Sequence, residues 1–179
     1  TSRKEGGVIE IKTDVDLEMC KQEFAEKVAE LNDSTVRVRV YFDSDFESVV
    51  SFVGWCVREY SNMWLTFYVR IHRATQLDYT WASMLEEYPC VQLAIECDVG
   101  DATFLSMLTQ VEQEIRKSCE VTLGYSKDSV DKVFSTFDTL RTHGFEVFEL
   151  RGNWDDWDAK GVWRLGSELS KVGAKFLGD

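Results

Sequence analysis

Five aspartates that follow apolar, strand-like segments are the residues of this sequence best suited to chemistry. They are Asp14, Asp43, Asp45, Asp98 and Asp101. Ligands of open parallel sheets bind beyond the carboxyl ends of the strands, so carboxylates placed there would converge on one rim. Oxygen ligands of this kind suit Mg²⁺, a hard cation that neutralises phosphate. One hypothesis is therefore a magnesium-dependent phosphatase or phosphotransfer-like hydrolase that uses Asp43 and Asp45.

The segment Val40-Tyr41-Phe42-Asp43-Ser44-Asp45-Phe46 resembles the DxD opening of haloacid-dehalogenase-type phosphatases. It departs from that pattern at Glu47, where the family has Thr or Val, and it lies on the second predicted strand instead of the first. An Asp before an apolar helical run also accepts the N-terminal amides of the helix and complements its dipole. We expect Asp43 and Asp45 to be such caps, with the hydrolase as the alternative.

Other signatures of catalysis are weak. No Gly-rich phosphate loop lies in a strand-to-helix turn, and neither His72 nor His143 has a recognisable nucleophile nearby in sequence. The five cysteines form an odd set with no CxxC pair and no His at metal-ligand spacing, a pattern typical of reduced thiols. We therefore expect a non-catalytic protein with no cofactor, no metal and no disulfide.

The composition narrows the class of protein. With 179 residues, 44% of them hydrophobic, the chain is long enough to bury a core as a single domain over residues 1–179. A net charge of −12 argues against nucleic acid and anionic membranes as partners, because both reward clustered Lys and Arg. No signal peptide or long apolar span is recognisable, so we expect a cytoplasmic or nuclear location. The first residue is not Met, which suggests processing or a piece of a longer chain.

Strand and helix patterns alternate about six times. Alternating apolar residues predict strands near residues 8–11, 36–40, 64–71, 91–95, 120–124 and 145–150. Apolar residues at spacings of three and four predict a helix after each strand, the last one from Asp158 to Phe176. Strands that alternate with helices in this way predict an α/β fold with right-handed crossovers and a parallel sheet.

The strand ends share a frame of two apolar residues followed by a polar one. Examples are Ile9-x-Ile11-x-x-Asp14, Val38-x-Val40-x-x-Asp43 and Leu93-x-Ile95-x-x-Asp98. The frame recurs about every 28 residues, a period typical of solenoids. It resembles the leucine-rich repeat in its longer strand-plus-helix form, with Val, Ile and Phe in place of most leucines. The resemblance implies a solenoid, whereas the alternating elements alone also allow a doubly wound open sheet or part of a barrel.

In a solenoid, the residues between and just after the inward strand positions would form a binding surface. The candidates are Glu10, Lys12, Arg39, Tyr41, Arg70, His72, Glu96, Tyr125, Glu149 and Arg151, joined by Trp154 in the turn Asn153-Trp154-Asp155-Asp156-Trp157-Asp158. Arg and Tyr are common interface anchors, although opposite charges on neighbouring strands could instead form an internal ladder. The resemblance implies a protein-protein interaction domain of the adaptor or scaffold type. The sequence does not identify the protein partner or the oligomeric state.

Overall fold

A computed structural model of the chain describes residues 7–12, 16–41, 46–73, 76, 80–111, 116, 119–145 and 148–178. The strands are β1 (Gly7–Lys12), β2 (Thr35–Tyr41), β3 (Trp64–Ile71), β4 (Val91–Asp98), β5 (Cys119–Gly124), β6 (Phe148–Gly152) and β7 (Lys175–Gly178). The helices are α1 (Leu17–Leu31), α2 (Phe46–Glu59), α3 (Thr80–Glu87), α4 (Ala102–Leu108), α5 (Val133–Thr142) and α6 (Ala159–Val172). The prediction of consecutive strand-helix units is confirmed.

Polar side chains begin several of these helices. Asp16 accepts a hydrogen bond from the Glu18 amide at 2.8 Å before α1, and Asp158 accepts one from the Gly161 amide at 2.7 Å before α6. Each bond satisfies an amide that has no partner within the helix. Asp16 and Asp158 therefore determine where these two helices begin.

All the strands belong to one parallel sheet, in the order β1-β2-β3-β4-β5-β6-β7. Each strand is therefore hydrogen-bonded to the strand that follows it in the chain. The order contains no reversal of the kind that a doubly wound sheet requires, so the observed topology differs from that alternative.

The described residues group into two compact units. Unit 1 comprises Thr1–Ile71 and Ser83–Leu93, and unit 2 comprises His72–Ala82 and Ala94–Asp179. In unit 1, alternate residues of β1, β2 and β3 are buried, and the Phe24 ring on α1 lies edge-on to Phe52 and Tyr60 at 5.8 and 5.1 Å. Edge-on contacts of this kind add to the stabilisation from burial alone.

Unit 2 has its own apolar core, with Phe104, Phe137 and Leu150 almost fully buried. Arg116 ties the end of α4 to the end of α5. Its guanidinium donates to the carbonyl oxygens of Val111, Thr109 and His143 at 2.9, 3.2 and 3.0 Å. Three carbonyl partners hold this side chain in one position.

The end of the chain differs from the sequence prediction of a helix up to Phe176. Helix α6 ends at Val172 because Gly173 adopts a left-handed conformation, with φ 65°, and closes the helix. The chain then forms β7, which pairs with β6 and gives the sheet seven strands where six were expected. None of the helices in the described residues has the length and apolar character needed to cross a bilayer.

Candidate functional site

Cationic and aromatic side chains cover the exposed side of the unit 1 sheet. Val36, Val38 and Val40 of β2 face the core at 0–1% exposure. The residues between these valines face the opposite side of the sheet. So do the residues of β1 and β3 that pair with them. We call the following six residues the basic sheet face: Lys12, Arg37, Arg39, Tyr41, Tyr68 and Arg70.

The strand register places these residues in rows. Arg39 lies between Glu10 of β1 and Tyr68 of β3, and Tyr41 lies between Lys12 and Arg70. Because neighbouring strands are about 4.8 Å apart, each row is continuous. The Arg70 guanidinium lies over the Tyr41 ring, 5.5 Å from its centroid, in a cation-π contact.

The charges of Arg37 and Arg39 are not used within the described part of the chain. Both side chains are exposed, and neither forms a salt bridge with a residue that the structure describes. Glu10 is the register neighbour of Arg39, yet the two do not pair. This observation argues against an internal ladder of opposite charges at this position.

A second cluster of candidate residues lines a cavity in unit 2. We call it the strand-end cavity, and its volume is about 250 Å³. It lies where β4, β5 and β6 end, and its lining residues are His72, Glu96, Cys97, Asp98, Thr122, Gly124 and Arg151. Three of the predicted surface residues, His72, Glu96 and Arg151, therefore come together here.

The backbone around the strand-end cavity is held by specific hydrogen bonds. The buried Gln76 side chain accepts from the amides of His72 and Arg73 at 2.9 and 3.0 Å, which fixes the turn after β3. Asp98 accepts from the Gly100 amide at 2.7 Å, which fixes the turn after β4. The cavity therefore has a defined backbone at two of its edges.

Cys97 contributes a neutral thiol to this cavity. Burial is the main cause that raises its pKa to about 12, with the nearby charges of Asp101 and Asp98 acting in the same direction. The thiol is therefore protonated at neutral pH and is a poor nucleophile. It donates a weak hydrogen bond to the carbonyl oxygen of Asp98 at 3.3 Å.

Tyr125 is a predicted surface residue that the structure instead buries, at 7% exposure. Its hydroxyl donates to the carbonyl oxygen of Asn153 at 2.6 Å and accepts from the Trp157 indole at 2.7 Å. The ring passes over Gly152, where any side chain would overlap it. Tyr125 therefore holds the turn after β6 in place.

Trp154 begins this same turn and is 43% exposed. Its ring packs on Phe176 of β7, with the ring centroids 4.0 Å apart. One part of the indole therefore covers β7, and the remainder faces solvent.

The structure describes only some of the aspartates on which the hydrolase hypothesis depends. Asp14, Asp43 and Asp45 lie outside the described residues, so both their capping role and their catalytic role stay predictions. Asp101 caps α4 by accepting from the Phe104 amide at 3.0 Å. Among the residues that are described, no group of three or more His, Cys, Asp and Glu side chains is arranged to hold a metal ion.

The strand order and the register thus define the class as an α/β protein of consecutive strand-helix units. No family model and no curated protein matches the chain. Among solved structures, it is similar to the spore coat polysaccharide biosynthesis protein SpsE from Bacillus subtilis, with a TM-score of 0.51 and 12% sequence identity. The match covers 97% of this chain but 53% of that one, so this chain spans about half the length of its neighbour. At this identity the likeness shows the fold alone.

Sequence reasoning missed two members of the basic sheet face, Arg37 and Tyr68. Both lie two residues before a residue that was singled out, Arg39 and Arg70 respectively. Strict period-two counting along β2 and β3 would have included them, because such residues share a face.

Proposed function

We propose that this chain is a non-catalytic protein-interaction domain of the adaptor or scaffold type, whose basic sheet face binds an extended acidic segment of a partner protein. The observation that carries the proposal is the register of β1, β2 and β3. It aligns four cations and two tyrosines on one face, with Glu10 as a single carboxylate among them. Arg and Tyr combine wide contact with hydrogen bonding, which makes them frequent anchors of interfaces.

The spacing of the cations indicates the form of the partner. Arg37 and Arg39 are two residues apart on β2, so they are separated by about 6.6 Å along the strand. An extended peptide presents alternate side chains at the same distance. Carboxylates at every second residue would therefore meet both guanidiniums, which are free for paired hydrogen bonds.

Charge complementarity supports an acidic protein segment over other occupants. The chain as a whole is acidic, with a net charge of −12, so a long anionic polymer would be repelled by most of the molecule. A short acidic segment would contact only the basic sheet face, so the acidic remainder of the molecule would repel it less. The aromatic rings of Tyr41 and Tyr68 would contact its backbone and methylene groups.

The test is fluorescence polarisation with a labelled peptide that carries glutamate at alternate positions. The same peptide with glutamine is the matched ligand control. The variant Arg37→Gln/Arg39→Gln removes two charges that make no salt bridge with any residue that the structure describes. We expect it to weaken glutamate-peptide binding by about tenfold or more, since an interfacial Arg often contributes about 2 kcal/mol.

The matched protein control is Lys127→Gln/Lys160→Gln, which removes two positive charges from exposed positions of unit 2. It should leave peptide binding unchanged. Equal losses in both variants, or equal affinity for the glutamate and glutamine peptides, would overturn the proposal. So would tighter binding of a labelled oligouridine, or a dimer that the Arg37→Gln/Arg39→Gln variant dissociates, because either result assigns the face to another occupant.

A further inference from the structure

The strand-end cavity lies where parallel sheets most often bind small molecules. It is formed by the carboxyl ends of β4, β5 and β6. Ligands of parallel α/β sheets bind at these ends because the strand-to-helix turns that start there carry polar side chains. Its volume of about 250 Å³ lies below the usual range for drug-sized ligands, so a small metabolite is the appropriate size.

The lining of the cavity has an acidic side and a basic side. Glu96 and Asp98 come from β4, and Arg151 comes from β6. Arg151 is exposed and makes no salt bridge within the described residues, so its guanidinium is available. The lining thus presents carboxylates on one side and a guanidinium on the other, which favours a ligand that carries charges of both signs.

The middle strand leaves room between the two sides. Gly124 ends β5 and has no side chain, and a Cβ atom built there would lie 3.9 Å from Oδ2 of Asp98. The other oxygen of Asp98 is already bonded to the Gly100 amide. Oδ2 therefore borders the space above Gly124 and is placed to accept a further hydrogen bond from a ligand.

Distances across the sheet set the length of the ligand. Two strand spacings separate β4 from β6, which is about 10 Å between the strand axes. The side chains of Glu96 and Arg151 shorten this gap. We infer that the strand-end cavity binds a small zwitterion of the α-amino acid class, with its ammonium group on Glu96 and Asp98 and its carboxylate on Arg151.

The remaining polar groups fit a hydroxyl or other polar substituent on the same ligand. Thr122 lies on β5 between the charged sides, and its hydroxyl is 3.4 Å from Oε2 of Glu149. His72 lines the cavity from the turn that Gln76 fixes. Both side chains exchange hydrogen bonds with hydroxyl groups readily.

Three matched probes test the inference by NMR chemical-shift titration of the full chain. L-serine carries both charges, ethanolamine lacks the carboxylate, and glycerate has a hydroxyl in place of the ammonium. We expect saturable serine binding in the millimolar range, with the other two probes at least about tenfold weaker because each loses one charged contact. Shifts should centre on residues that line the cavity.

Two variants separate the charged ends. Arg151→Gln should weaken serine about tenfold and leave ethanolamine unchanged, since ethanolamine has no group for the guanidinium. Glu96→Gln should weaken serine and ethanolamine but leave glycerate unchanged. Gly124→Val, which fills the space above β5 at a position without positive φ, should abolish binding of all three.

The inference is overturned if no probe saturates, if serine and glycerate bind equally, or if Arg151→Gln binds serine as the wild type does. A thermal melt of each variant shows whether it is folded. If Gly124→Val unfolds, the two charge variants still decide the outcome, because they alter exposed or half-buried side chains. Failure here leaves the proposal for the basic sheet face intact, since that test uses different residues in unit 1.

Discussion

Tyr41 in unit 1 and Tyr125 in unit 2 have the same predicted role but lie in different environments. Tyr41 is half-buried beneath the guanidinium of Arg70, on the exposed side of its sheet. Tyr125 is buried and hydrogen-bonded on both sides of its hydroxyl. The difference follows from parity: Tyr41 is out of phase with the buried Val40, whereas Tyr125 is in phase with the buried Leu123. Phase along the strand, and not nearness to its end, decides which side a residue faces.

The largest effect is expected from filling the space beneath the Tyr125 ring. In Gly152→Ala the new methyl group would overlap ring carbons of Tyr125, which two hydrogen bonds prevent from moving aside. We expect the free energy of unfolding to fall by roughly 2–3 kcal/mol, as in other overpacked cores. Urea denaturation measures this loss.

Gly166→Ala is the matched control for that substitution. Gly166 lies within α6 and has nothing within 4 Å of the added methyl group. Alanine is the better helix former, so this variant should be more stable by about 0.5–1 kcal/mol. Similar losses in both variants would mean that Tyr125 is not fixed over Gly152.

Removing the hydroxyl oxygen of each tyrosine should affect stability to different extents. Tyr125→Phe leaves the Asn153 carbonyl and the Trp157 indole without their partner, so we expect a loss of about 1–2 kcal/mol. Tyr41→Phe should change stability by less than about 0.5 kcal/mol, because the side chain is half-exposed and its ring keeps the contact with Arg70. Thermal unfolding of the pair provides the measurement, and equal effects would contradict the assigned roles.

The smallest effect is expected for the cations of the basic sheet face. Arg37→Gln/Arg39→Gln should change the free energy of unfolding by less than about 0.5 kcal/mol, since neither side chain makes a described salt bridge. Chemical denaturation of this variant beside Lys127→Gln/Lys160→Gln checks the expectation. A large loss in the arginine variant alone would assign these residues to folding instead of binding.

Much of the fold follows from local pattern. The period-two runs predicted β1 to β5 closely, and the apolar spacings of three and four predicted that a helix follows each of these strands. The prediction of a helix to Phe176 was wrong, because Gly173 could be a tolerated interruption or a terminator. Its positive φ decides for the terminator, and no local pattern reports that angle.

The site could be predicted in part. Arg39, Tyr41 and Arg70 form one patch because their strands are neighbours, and His72, Glu96 and Arg151 share a cavity because the strand order is sequential. Strand order is set by the packing of the whole chain, so it cannot be predicted from any single segment. The hydrogen bonds that fix Tyr125 join residues 28 and 32 positions apart, so the pattern of residues within one segment cannot predict them either.

The sequential strand order also bears on how the chain folds. The register pairs Gly7 with Val36, Thr35 with Trp64 and Glu149 with Lys175, so each pairing closes a loop of about 28 residues. Such an arrangement has a lower contact order than one in which the chain returns to its first strand, and lower contact order favours faster folding. During synthesis, each new strand can pair with the one made just before it. The sheet would therefore grow at one edge, where each new strand is added beside the strand made just before it.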